Sequence, residues 1–410
     1  MHRCAKHVFC VLCQRDGENP VPAPGWAVGL PGSRFGANHL FNAQGLPQCG
    51  SNDVHLRRLV PRVFSLATPG EPEHRRHGDG HLEPLTRLRG TAADNGNRRN
   101  MIIRRIQRRL AQLSELLRRV QELQESVGRV EMRQLMERSH PAASLRDYEF
   151  RVYSQFGEDG IIQYLIRSIP IPTPVFVEFG VQDYKESNTR FLLLNNNWTG
   201  LVMDSSATGV SAIRNDYPYY RHTLRAVQAF IDRENINDLI TANGVSGDIG
   251  LLSIDIDGND YWVWEVLDAI SPRIVICEYD NLLGCERAVV SPYDRTFEKL
   301  KAHYSFLYGG ASLPALERLA RKKGYVLVGS NSAGNNAFFV RNDVLGSIPP
   351  VTARETYVRA LYRFSRDQRG KMTFLGSEEG LTLIADLPLV DLETGSTIRA
   401  GDLAPAGVHH

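Results

Sequence analysis

The chain has 410 residues, 42% of them apolar and 23% charged, the balance of a globular protein with room for one large domain or two ordinary ones. No apolar run approaches the roughly 20 residues that cross a bilayer, and VFCVLC at residues 8–13 is too short for a secretory core, so a cytoplasmic protein is expected. The net charge of +2 is unevenly spread: residues 1–140 carry 22 Lys and Arg against 13 Asp and Glu, the remainder 26 against 33. The globular part is thus mildly acidic, which removes any electrostatic case for nucleic-acid binding there.

Residues 1–100 show no sustained period of 2 or 3.6 and contain twelve Arg, one Lys and seven of the twelve histidines. Such a segment cannot bury enough apolar surface to offset its chain entropy. Two expectations follow: a disordered extension, or a start assigned too far upstream with Met101 the true initiator. The Arg-heavy, Lys-poor composition suits a read-through leader and favours the second. Among six cysteines, Cys10 and Cys13 form a CxxC that Cys4, His7 or Cys49 would have to complete as a zinc site. No second close pair follows, and free thiols in a reducing compartment are expected.

From Met101 the texture changes. Ile106, Leu110, Leu113, Leu117, Val120, Val127 and Val130 recur at spacings of three and four, one stripe on a long helix expected over 101–140 and ended by His140-Pro141. Pairing with a second copy through 101–138, or packing on the domain, is the favoured use of that stripe. The arginines at 104, 105, 108 and 109 offer peripheral contact with anionic lipid through 101–119 as the alternative.

Between about 145 and 345, strand-like runs at 175–180, 200–204, 249–255, 273–279, 325–329 and 336–341 alternate with helical patterns at 156–169, 188–196, 236–244, 261–270 and 313–324. That alternation predicts a parallel sheet covered by helices on both faces. The short SNSAGN turn before the last strand requires an antiparallel pair at one edge. The fold class expected is α/β, a Rossmann-like doubly wound seven-stranded sheet with an antiparallel last strand, preceded by a long N-terminal helix. Residues 346–410 read as an extension with a helix over 353–368 and then short strands.

In VFVEFGVQDYKESNT (175–189) a buried strand ends at Glu178, and Gly180 permits close approach of a ligand to the backbone. An acid at this turn suits S-adenosyl-L-methionine, which carries an ammonium and a sulfonium, and repels a dinucleotide pyrophosphate; GxGxxG is absent. Asp204 ends the next strand, where a carboxylate can accept from both ribose hydroxyls of an adenosine cofactor. In LLSIDIDGNDYWVWE (251–265) Asp255 ends the fourth strand and Asp257 follows it. They read as a general base or orienting group for an acceptor hydroxyl, or as a metal-binding D-x-D, or as a cap and turn. Glu278 ends the fifth strand and faces the same crevice. Weaker candidates are the small-residue loop 308–312, Asn335 and Asn336 at a turn, and the isolated His222 and His303.

YSQFGEDG (153–160), FVEFGVQDYKESNTRFLL (176–193), NWTGLVMD (197–204) and SIDIDGNDYWV (253–263), taken together in this order, resemble the FkbM-type S-adenosylmethionine-dependent methyltransferases. The similarity covers roughly residues 150–280. The resemblance implies a donor site built from Gln155, Glu178, Gly180, Asn188 and Asp204, with Asp255 and Asp257 at the reacting end. It implies an O-methyltransferase acting on a hydroxyl of a sugar, glycolipid or secondary metabolite. The family's K-I-D-x-E-G-x-E is S-I-D-I-D-G-N-D here, so Asp257 and Asp260 are one carbon shorter than the glutamates they replace. A divalent metal is compatible with these acids but not expected. Two alternatives stand beside this reading: a divalent-metal glycosyltransferase using Asp255-x-Asp257, and a non-catalytic oligomeric scaffold that binds a ligand without turnover.

Overall fold

The computed structural model describes residues 91–137, 144–360 and 364–403, all within the unit Leu85–His410. Cys4, Cys10, Cys13, Cys49 and the expected helix stop at His140-Pro141 lie outside the described residues.

The chain opens with α1 (Thr91–Glu137), followed by α2 (Glu158–Ser168), β1 (Val175–Phe179), α3 (Arg190–Asn196) and β2 (Thr199–Asp204). Next come α4 (Ala207–Arg214), α5 (Tyr217–Arg221), β3 (Leu224–Gln228), α6 (Ile236–Ala242), β4 (Gly247–Ile254), α7 (Asp260–Val266) and β5 (Ile270–Glu278). The short β6 (Val289–Val290) and α8 (Lys299–Ala302) precede α9 (Leu313–Lys322), β7 (Tyr325–Ser330) and β8 (Asn336–Arg341). The chain then runs through α10 (Ala353–Thr356), α11 (Ser377–Leu383), β9 (Pro388–Asp391) and β10 (Thr397–Arg399).

Seven strands form one sheet in the order β3-β2-β1-β4-β5-β8-β7, and β10-β9-β6 form a small second sheet. All pairs in the main sheet are parallel except those of β8, which runs antiparallel to β5 and β7. The strand order reverses between β1 and β4, which opens a crevice at the carboxyl ends of the central strands. The expected seven-stranded α/β sheet is present.

Alternation along the strands divides the core in two. Val177, Phe179, Leu252, Ile254 and Val275 face one layer with Trp264 of α7 and Leu316 of α9. Phe176, Val202, Leu251, Ile274 and Ile276 face the other, against Ile161 and Leu165 of α2. Trp264 anchors its layer, with ring centroids 4.9 Å from Phe339 and 6.0 Å from Tyr325. Glu178 belongs to the α2 side, the one charged side chain of β1 and only 5% exposed.

The structure corrects several expectations. Strand β3 carried no strong sequence signal because it is a five-residue edge strand whose Arg225 and Gln228 point to solvent. The helix expected over 101–140 begins at Thr91; its first ten residues hold no apolar side chain larger than alanine and carry no stripe to read. The helix expected over 353–368 stops at Thr356. Its aromatic residues are drawn to separate partners, Tyr357 to Tyr279 at 6.5 Å and Phe364 to Phe306 at 5.2 Å between centroids. Among the described residues no helix is long and apolar enough to cross a membrane.

Candidate active site at the carboxyl ends of the central strands

At the end of β1 the chain meets the end of β4 at backbone distance. Gly180 has φ +75°, and a Cβ added there would stand 1.6 Å from the carbonyl oxygen of Asp255. No side chain fits, so only glycine lets the two strands finish side by side.

The loop after Gly180 is organised from within. Glu178 accepts from Ser187 Oγ at 2.7 Å, from the amide of Asn188 at 2.9 Å, and from both the amide and the hydroxyl of Thr189. Burial pushes its carboxyl up, while these donors pull it back. Both carboxylate oxygens are therefore engaged by the chain's own S-N-T, and Glu178 acts as the hub of this loop. Asn188 turns its side chain to Ser253 Oγ at 3.1 Å. Tyr184, buried, meets Thr189 Oγ1 at 2.9 Å, and Arg190 holds the Tyr184 carbonyl at 3.0 Å and Asp216 at 2.9 Å.

Asp204, at the end of β2, accepts from the amides of Gln182 and Ser206, each at 2.7 Å. It ties the β1 loop to the start of α4 and keeps lone pairs beyond those two bonds. The YSQFGEDG segment is internal in the same way. Asp159 gathers the amides of Val152, Tyr153 and Ser154, and Glu158 accepts from the side chains of Asn331 and Asn336. Gln155, expected at the donor, is exposed.

The acids after β4 separate into distinct roles. Asp260 is buried and accepts from the amides of Ile256 and Gly258, at 2.8 and 2.9 Å, so it builds the turn. Asp257 has φ +62° and is exposed. Because β4 stops at Ile254, the two acids lie beyond the strand, in the turn. Even so, one oxygen from each of Asp255, Asp257 and Glu278 lies within 4.8 Å of the others.

Lys299, a residue the sequence reading did not single out, completes this group. Its ammonium lies 3.4 Å from Asp257 Oδ1 and 5.3 Å from the centroid of the Phe306 ring. It is brought there by Phe297, whose ring occupies the space over Gly258 (φ +150°), where an added Cβ would stand 2.2 Å away. The bond from Asn259 Nδ2 to the Asp294 carbonyl, 2.8 Å, fixes the same segment.

Charge balance decides the chemistry of the group. Burial first, then the negative charges of Glu278 and Asp257, push Asp255 well above the usual carboxylate range. Burial pushes Glu278 up to about 7, with Lys299 pulling the other way, and raises Asp280 to about 6. Burial alone would lower Lys299; the carboxylates of Glu278, Asp257, Asp280 and Asp255 outweigh it and hold the ammonium charged. A carboxyl that titrates near neutrality, as Glu278 does, can accept a proton or orient a hydroxyl. The same three carboxylates have the donor set a hard divalent cation takes, while Lys299 already supplies a positive charge beside them.

Other sequence candidates fall elsewhere. Tyr308 bonds the Pro388 carbonyl and Ser312 caps α9, so the 308–312 loop is a scaffold. Asn335 and Asn336 belong to a turn gathered by the Asn331 side chain. His222 is half-buried and meets Asn197 Oδ1 at 3.3 Å, and His303 pairs with Ser305.

No family model matches the chain, and no curated protein matches it. Solved structures similar in chain path include an S-adenosylmethionine-dependent methyltransferase from Clostridium acetobutylicum ATCC 824, with 10% identity and a TM-score of 0.30 over 45% of this chain and 90% of that one. The N-terminal domain of EvdMO1 with SAH bound gives 10% identity and 0.30, over 45% of this chain and 79% of that one. The CurJ carbon methyltransferase gives 14% and 0.31, over 50% and 57%. At such values the likeness transfers no activity.

Proposed function

We propose that the chain is an S-adenosylmethionine-dependent O-methyltransferase whose acceptor is a hydroxyl of a sugar, glycolipid or secondary metabolite. One observation carries the reading. In a sheet ordered β3-β2-β1-β4-β5-β8-β7, strands on both sides of the reversal between β1 and β4 end in carboxylates, Asp204 on β2, Asp255 just past β4 and Glu278 on β5. That strand order is the one expected of a class I methyltransferase.

The residues fit a cationic nucleoside donor. Asp204 has lone pairs left for ribose hydroxyls, and a cationic donor would itself draw the raised Asp255 and Glu278 carboxyls toward their charged forms. Gly180 and the amides after it form the loop between these acids, and Glu178 with Asn188 positions that loop. When bound, the donor supplies a methyl group on sulfur open to displacement by an oxygen nucleophile. The chain's own part is to hold the acceptor hydroxyl in line and take its proton, a task for Asp255 or Glu278. Lys299, charged beside Asp257, offsets the mutual repulsion of the carboxylates before that proton arrives.

Calorimetry of the full chain with S-adenosylhomocysteine is the direct test. Binding is expected, with at least a tenfold loss in Asp204→Asn and little change in Asp257→Asn. Absence of binding to the unaltered chain sinks the reading. The metal-dependent glycosyltransferase reading draws on the closeness of Asp255, Asp257 and Glu278. It requires Mn²⁺-dependent binding of a nucleotide sugar that Asp257→Asn abolishes, the reverse of the pattern above.

A further inference from the structure

The helix α1 is about 70 Å long at a rise of about 1.5 Å per residue, and only its last third meets the domain. There Gln121 Nε2 donates to Tyr153 OH at 2.9 Å, Gln124 donates to the Val152 carbonyl, and Met132 packs with Phe150, Val152 and Phe191. Between Asn100 and Val120 every residue is exposed except the half-buried Leu110 and Glu115. Eleven of the fifteen exposed large apolar side chains of the described residues stand on this one helix. Isolated helices are marginal in water, and so wide an apolar face asks for a cover.

The spacing of that face is specific. Ile106, Leu113, Val120 and Val127 recur every seven residues, and Ile102, Leu116, Leu123 and Val130 fall on the intervening positions, with Arg109 the one polar member. This seam keeps its period beside the docked third, where Leu123 is 65% and Val127 52% exposed, because the domain takes the Gln121–Gln124–Gly128 side. A bilayer asks only for an apolar half-cylinder. A seven-residue period held over four repeats is what another helix asks for.

Charge selects the partner. Residues 101–110 hold four Arg and no acid, while residues 122–131 hold three Glu and one Arg. Between them Arg118 pairs with Glu115 and Glu122, and Arg119 with Glu115, on the same helix. A copy of the helix laid antiparallel, with Leu116 near the twofold axis, sets each basic end beside an acidic stretch. It also moves Arg109 away from its own counterpart and next to Glu122. We propose that the exposed seam of α1 is a self-association surface and that its occupant is the α1 of a second copy, antiparallel. This inference stands independently of methyl transfer.

The test is sedimentation of the full chain at micromolar concentration. A dimer is expected, twice the 46.0 kDa of one chain. Leu116→Asp with Leu123→Asp should lower self-affinity at least a hundredfold while leaving the domain's thermal unfolding unchanged, since both residues are exposed. Arg104→Glu with Arg108→Glu should weaken the dimer, and Glu122→Arg with Glu131→Arg should do the same. Mixing those two variants should restore association as a heterodimer. A monomer in the full chain overturns the proposal, as does a dimer indifferent to the Asp pair. Binding to anionic phosphatidylglycerol vesicles by a chain that is monomeric without them hands the seam to lipid. Two weakened charge variants that do not rescue each other overturn the antiparallel arrangement.

Discussion

Glu278→Gln isolates the electrostatics of the acidic group. In the folded chain burial raises this carboxyl from 4.5 to about 7, so the native state holds a proton that the unfolded chain has released. The unfolded state then binds fewer protons, and stability falls as pH rises between those values. It is greatest below about 4.5 and has lost the contribution once pH passes 7. At about 1.4 kcal/mol per unit, the loss is about 3 kcal/mol. Glutamine matches the protonated form in shape and charge. The variant should therefore equal the parent near pH 4.5 and exceed it by up to about 3 kcal/mol at pH 8, or roughly 5 °C in midpoint for a unit of this size. Thermal unfolding at half-unit steps from pH 4.5 to 8 reads this directly. Parallel curves for parent and variant would refute the placement of Glu278 among like charges in a buried site.

Three further outcomes follow from the same geometry. Lys299→Met removes the ammonium from the acidic group and should destabilise by roughly 2 kcal/mol, more at pH 8 than at pH 5; equal loss at both values in urea titrations counts against its role. Glu178→Gln sets an amide donor against one of the donors of Ser187, Asn188 or Thr189 and should cost about 1.5–3 kcal/mol in chemical denaturation. It should also speed exchange of the amides at 188 and 189, and unchanged protection there would be contrary to a hub. Gly180→Ala must displace the Asp255 carbonyl and adopt a left-handed backbone. It should cost roughly 3 kcal/mol or more, and a variant as stable as the parent would show that β1 and β4 do not finish in contact.

The sequence exposed most of the sheet because buried parallel strands are continuous apolar runs, and the ends of β1, β2, β4 and β5 are marked by Gly180, Asp204, Asp255 and Glu278. It also placed Glu178, Asp204, Asp255 and Glu278 at strand ends, and the fold brings those ends to one side of the sheet. What it could not separate was the direction in which each acid looks. Glu178 carries the same local signal whether it meets a ligand or its own S-N-T nine to eleven residues later, and the structure has it facing inward. Asp260 sat in the same acidic run as Asp255, yet two backbone amides two and four residues away claim it. Lys299 lies 42 residues from Asp257 with no spacing rule to connect them. Only the wedge of Phe297 over Gly258 brings it in. On α1 the period was legible, but which face the domain would take was not, because Gln121 and Gln124 dock through polar contacts that no apolar pattern announces.

The Glu178 hub has a consequence for how a ligand is received. Four donors from one loop are collected on a single buried carboxylate, so the chain's own contacts give residues 187–189 of that loop their shape. The ordering entropy of that loop is spent on folding, and an incoming molecule meets a rigid receptor that it need not mould. Association should then be fast and nearly unaccompanied by backbone rearrangement, with little heat-capacity change from loop ordering. Selectivity, in such a receptor, is set when the chain folds.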